Sequence, residues 1–225
     1  MKRTRYQDSD MVVKYRVALA DYQRSWAHVD SALRGIVRDH AGPSLADIYT
    51  KVVLINGVYQ VQLSRTHGQG ALERVANVLA AAEVELAPAI AKLRSHGTLS
   101  LAAVADTMTA HTVILLALEA LGKEIDPQEP AKIARSFASK YLHFHADIVP
   151  IYDSLASNHV ARFLSWSDYR QSLRQIQQSA ACPPEGDRAY FNYLLQFSLL
   201  YEHLCSLMPP GLVSVKGIDQ MLWVG

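Results

Sequence analysis

The sequence predicts an all-α fold, and three observations carry that expectation. Apolar residues recur at three- and four-residue spacing through most of the 225 positions. Capping residues head several of these runs, and Gly or Pro closes them. Strand-like character is confined to one short piece, IVPIY at 148–152. The short loops between runs point to antiparallel or angled helix packing.

Residues 9–41 read as one or two helices. Trp26, Val29, Leu33, Ile36 and Val37 keep helical spacing, and Ala41-Gly42-Pro43 stops the run. Ser44 then caps a helix, with Asp47 three residues on as its capping-box partner. The apolar stripe of that helix is Leu45, Ile48, Val52, Ile55, Tyr59 and Leu63, and THGQG ends it near residue 67. Residues 71–95 are alanine-rich and helical, with Pro88 marking a break or a new first turn. SHGTLS is a loop. Thr98 or Ser100 caps the next helix, which runs to about Gly122 and is apolar nearly all round, hence central.

KEIDPQEP follows as a charged, proline-bearing connector. It places a lobe boundary near 122–130 within a single domain spanning 1–225. Helices over about 130–145 and 153–164 flank the extended IVPIY piece. Ser167 caps a further helix to about residue 180, ACPPEGD is a loop, and 188–207 is amphipathic through Tyr190, Leu194, Phe197, Tyr201 and Leu204. After MPPG, the tail SVKGIDQMLWVG forms a last turn or two anchored by Leu222 and Trp223.

Composition narrows the function. With 22 basic and 21 acidic residues the net charge is +1, so a nucleic-acid surface would have to be a local patch. Its candidates are Lys51, Arg65, Arg135, Arg162, Arg170 and Arg174. The longest uncharged runs contain His and Thr and fall short of a membrane span. No apolar leader follows the basic start. The expectation is a soluble cytoplasmic protein with no membrane role. Cys182 and Cys205 lack CxxC spacing and read as free thiols. The nine histidines include no HExxH, and His143 and His145 point to different sides of a helix, so no metal is expected. Walker A, GxGxxG and GxSxG are absent, and no cofactor is expected.

The chemistry-bearing feature is the stretch SFASKYLHFHADIVPIYDSLA, residues 136–156. Lys140 sits about 60° from Phe137, at the edge of the stripe made by Ile133, Phe137, Tyr141 and Phe144. Burial lowers a lysine's pKa, and the neutral amine is a nucleophile. His143 lies on the same flank at i+3, within reach of the lysine or of a ligand beside it. Six helical residues past Lys140 rise roughly 9 Å. Five or six extended residues span up to about 20 Å. The chain can therefore return and open the next helix, at Asp153, beside the lysine. A carboxylate at a helix N-terminus is favoured as the anion by the backbone N–H groups and the dipole. A lysine nucleophile facing such a carboxylate suits attack on the anomeric carbon of a glycosidic C–N bond. The same spacing also fits a snorkelling lysine and a simple helix cap.

Ser139, Lys140, FH at 144–145 and IVPIYDS at 148–154 resemble the helix-hairpin-helix DNA glycosylase superfamily, in its divergent 8-oxoguanine DNA glycosylase-like branch. YTKVVLINGVYQVQL at 49–63 looks like the early helix lining the base pocket in that branch, and IDQMLW like its C-terminal end. The resemblance implies two helical lobes around a cleft. It implies Lys140 as Schiff-base nucleophile, Asp153 as activator, and Asn56 and Tyr59 as pocket residues; His143 and Tyr152, in the Lys140–Asp153 stretch itself, complete the expected substrate-binding set. It further implies a modified nucleobase in DNA, or a nucleotide, as substrate. The branch's association with bacterial anti-phage defence adds a protein partner from a defence operon. PAKIARSFAS, ahead of the lysine, carries no counterpart of the superfamily's glycine hairpin. An inactive nucleobase-binding or protein-interaction module is the alternative reading.

Overall fold

The computed structural model describes residues 6–40, 42–61, 63, 68–125, 134–164, 169–180 and 182–224. These residues form eleven helices and no strand: α1 Asp8–Ser25, α2 Ala27–Asp39, α3 Leu45–Tyr59, α4 Ala71–Ala81, α5 Glu83–Arg94, α6 Leu101–Ile125, α7 Arg135–His145, α8 Ser154–Phe163, α9 Tyr169–Ser179, α10 Arg188–Leu207 and α11 Val215–Val224. The protein is all-α. Ile133, the segment 126–133 that includes most of the connector, and the Ser167 cap lie outside the described residues.

Local chemistry explains most boundaries. The first helical run bends at Trp26, which closes α1 through its N–H to Tyr22 O and opens α2. Ser44 caps α3, its hydroxyl accepting from Asp47 N at 3.1 Å. Ser100 does the same for α6 through Ala103 N at 3.2 Å.

Three boundaries differ from the periodicity. α3 ends at Tyr59, not near 67, because Gln60 turns left-handed with φ 46°. Asn56 secures this end. Its carbonyl accepts from Val61 N, and its side-chain oxygen accepts from Leu63 N at 3.0 Å. Leu63 stays buried beyond the turn. The 71–95 run breaks at Ala82 and keeps Pro88 inside α5. Proline removes the bond to the carbonyl four residues back, here that of Val84, an exposed residue. Gly122 lies within α6, which continues to Ile125.

α6 is central. It packs on α4, α5, α7 and α10. By length and composition alone it could cross a membrane. In this fold, half of its most apolar window is buried in protein, together with Thr107 and His111. α2, α3 and α5 cover α7, while α1 packs chiefly on α11 and also on α2 and α10, and α8 packs on both α10 and α11.

Tyr15 of α1 fixes the start of α11: its hydroxyl donates to Leu212 O and accepts from Ser214 N, both at 2.9 Å. Gly217 is needed there, since a β-carbon would lie 2.5 Å from the Tyr15 hydroxyl.

Candidate functional site

The link from α7 to α8, residues 146–153, has neither helix nor sheet to satisfy its backbone; besides a turn bond from Val149 N to Ala146 O at 3.0 Å, side chains do so. Val149 O accepts from His143 Nδ1 at 2.7 Å, and Pro150 O from the Tyr190 hydroxyl at 3.1 Å. Ile151 O accepts from the Tyr193 hydroxyl at 3.0 Å, and Ile151 N donates to Asp219 Oδ2 at 3.3 Å. Tyr152 N donates to Ser139 Oγ at 2.9 Å. Asp153 then caps α8, accepting from Leu155 N at 2.7 Å.

This path brings Asp153 and Lys140 to one cavity of about 490 Å³. Tyr59 and Gln60 from the end of α3, Ser136 from α7, and Lys216, Asp219 and Trp223 from α11 form much of the rest of its wall, with Trp26 at the α1–α2 bend. The size suits a small-molecule ligand.

Lys140 is 6% exposed. Its ammonium donates to Ser136 Oγ at 2.9 Å and lies 5.6 Å from the Tyr59 ring centroid. It forms no ion pair with any described residue, Asp153 included. Burial lowers its pKa; the Asp153 charge opposes that shift and the Lys216 charge adds to it.

Lys216 is ion-paired to the buried Asp30, Nζ to Oδ2 at 2.8 Å. Asp30 also accepts from the hydroxyls of Tyr59 at 2.5 Å and Tyr22 at 3.0 Å. Burial, then the Asp30 charge, pushes the pKa of both tyrosines up, so they remain donors.

Asp219 is the least compensated group on the wall. Its Oδ1 is buried with no hydrogen-bond partner among the described residues; the Tyr193 hydroxyl, near enough to favour the charged form, gives its one proton to Ile151 O. Burial pushes its carboxyl up to about 8, against opposing contributions from Lys216 and the Ile151 N–H.

Of the sequence-derived candidates, Lys140, Asp153 and Tyr59 meet at this cavity. Asn56 lies off the wall and holds the end of α3. His143 is fully buried in the frame. Donating Nδ1–H to Val149 O leaves Nε2 to accept from Arg34 at 2.9 Å, and burial holds its pKa well below the ordinary value. Tyr152 packs edge-on to Tyr190 and Tyr193, with the Arg135 guanidinium 4.9 Å above its ring centroid.

Sequence reasoning missed Asp30, Lys216 and Asp219. Two of them left a signal. Asp219 falls within the stripe Val215, Ile218 and Leu222, and Asp30 lies on the face of Leu33 and Val37, both at helical spacing. No group of three or more His, Cys, Asp or Glu suited to a metal occurs among the described residues.

No family model, curated protein or solved structure matches the chain. The chemistry of the site therefore carries the functional argument.

Proposed function

We propose that the chain is an 8-oxoguanine DNA glycosylase-like enzyme that cleaves the N-glycosidic bond of a modified purine in DNA or in a nucleotide. One observation carries the reading: a buried lysine with no ion pair among the described residues shares a ligand-sized cavity with an aspartate at a helix N-terminus. The neutral Lys140 amine attacks C1′ of the sugar. The C1′–N bond breaks and its electron pair leaves with the base, while Asp153 accepts a proton from the lysine nitrogen. Ring opening then gives a Schiff base on Lys140, which is also the entry to AP-lyase chemistry.

The cavity supports a purine in other ways. Trp26 and Trp223, half-exposed on its wall, offer faces for stacking, and Asp219 adds an unpaired carboxyl oxygen. The two-lobed arrangement implied by the resemblance belongs to this proposal too. In this reading α2–α7 would make one lobe and α1 with α8–α11 the other, joined where α1 meets α2 and α6 meets α10; the cavity draws its wall from both. A cytoplasmic location facing DNA follows from the same reading.

A second reading has its own observation. The Lys140 ammonium already donates to Ser136, and Asp153 already caps α8, as in a module that holds a nucleobase without turnover, for instance beside a partner from a defence operon.

Borohydride trapping separates the two. Wild type and Lys140→Gln are incubated with 8-oxoguanine and abasic oligonucleotides, duplex and single-stranded, and with 8-oxo-deoxyguanosine nucleotides. The glycosylase reading expects an adduct on Lys140 that the variant lacks. No adduct with any substrate, combined with thermal stabilisation by free purines, establishes the binding module instead.

A further inference from the structure

The cavity holds two lysines in opposite circumstances. Lys140 has no anion within ion-pairing distance among the described residues. Lys216, in the first turn of α11, is locked: its ammonium contacts Asp30 Oδ2 at 2.8 Å and the Tyr59 hydroxyl at 3.1 Å. Asp30 also accepts from the Tyr59 and Tyr22 hydroxyls. Swinging Lys216 away would leave a carboxylate that is 1% exposed short of its cationic partner, which is strongly unfavourable.

Lys216 is therefore a fixed cation. It contributes to the cavity wall, whereas its counter-ion Asp30 does not. Both amines also lie against one ring, 5.6 Å and 5.3 Å from the Tyr59 centroid for Lys140 and Lys216.

We propose that Lys216 is a positioning residue for the Lys140 chemistry, a pinned positive charge on the cavity wall that adds to burial in disfavouring the charged form of the neighbouring amine. This rests on the reading of Lys140 as a nucleophile. A second cation beside a desolvated lysine is a general means of producing a neutral amine near neutral pH. The charged groups acting on Lys140 are Asp153, from the head of α8, and Lys216, from α11, with opposite signs. Tyr59 of α3 presents its ring, and Asp219 of α11 shares the cavity. Lys216 and burial act together against Asp153. That leaves Asp153 free to take a proton during the reaction rather than to hold Lys140 permanently as an ammonium.

The test reads Lys140 directly. The full chain is labelled with formaldehyde and cyanoborohydride from pH 6 to 10, and dimethylation at Lys140 is quantified by peptide mass spectrometry. The exposed Lys92 and Lys123 serve as internal standards. Wild type is compared with Lys216→Met, with Lys216→Arg, and with Lys216→Met/Asp30→Asn, which avoids stranding the Asp30 charge.

Removing the cation should move the midpoint of the Lys140 profile up, with less labelling at pH 7 than in wild type. The double variant should shift less but in the same direction, and Lys216→Arg should stay near wild type. An unmoved midpoint in both methionine variants overturns the proposal, as does a wild-type Lys140 that labels like Lys92. The readout needs no nucleobase, so failure to cleave 8-oxoguanine would sink the glycosylase reading without touching this result.

Discussion

Asp219→Asn tests the most unusual charge in the molecule. Asp219 is fully enclosed, and burial raises its carboxyl from an ordinary 3.8 to about 8. Between those values the folded protein keeps a proton that the unfolded chain has released. Stability contributed by the neutral group is therefore complete below pH 4 and lost as pH rises toward 8. At about 1.4 kcal/mol per pH unit, the change from pH 4 to pH 7 is roughly 4 kcal/mol. That is a large share of the 5–15 kcal/mol typical of a domain. Asparagine keeps an oxygen for the Ile151 N–H and removes the titration. Its amide protons find no built partner, so at pH 4 the variant should be no more stable than wild type. By pH 7 it should have gained roughly 4 kcal/mol relative to wild type. Urea unfolding of both proteins at pH 4, 5, 6, 7 and 8 measures the difference directly. A difference that stays constant with pH, within about 1 kcal/mol, would refute the assignment of Asp219 as a buried neutral acid.

Two further outcomes follow from the caps and clamps. Asp153→Ala should cost about 1 kcal/mol through the lost cap of α8, while Asp153→Asn, an equally good cap, should leave urea stability nearly unchanged. If Asp153 acts in the chemistry, Asp153→Asn still loses Lys140 trapping; trapping at the wild-type rate would reduce Asp153 to a cap. Asp187 pairs with Arg135 through both carboxylate oxygens and caps α10 through Ala189 N and Tyr190 N. With the Asp187 side chain 3% exposed, Asp187→Ala should destabilise by about 3 kcal/mol or more. Asp147, paired to Arg34 but 79% exposed, should cost under about 1 kcal/mol when replaced by alanine. Thermal unfolding of the two variants side by side checks the contrast.

Local physics made much of the fold readable. Ser44 and Ser100 announce their helices because a cap acts within three residues. The end of α3 was not readable, since a left-handed Gln60 carries no glycine signature and Asn56 reveals its purpose only when Leu63 has folded back onto it. Pro88 misled for the related reason that its cost falls on Val84, an exposed residue of the first turn, and not on the core. At the site, Lys140 and Asp153 were legible because one short link joins them. Lys216 reaches the same cavity from 76 residues further along the chain, and no local rule relates the two lysines. His143 shows the converse: the right helical face put it near Lys140, but the unsatisfied carbonyl of Val149 took its ring.

That link also argues about what the site is for. A helix satisfies its own backbone, whereas 146–153 relies on side chains from α7, α10 and α11. Such an arrangement is costly to specify, because each donor or acceptor must be held in place by separate packing. A cap for α8 alone would need none of it, since any Asp, Asn or Ser after a flexible loop would serve. The tyrosines, Ser139, His143 and Asp219 instead hold the approach to Asp153 from three helices, and they do so beside a lysine with no ion pair among the described residues. Asp219 performs this task with one oxygen while leaving the other buried and empty-handed. Stability alone would favour asparagine or an apolar residue there at neutral pH. Unfavourable polar burial gathered around one cavity fits a wall organised for a ligand better than a wall organised for the fold.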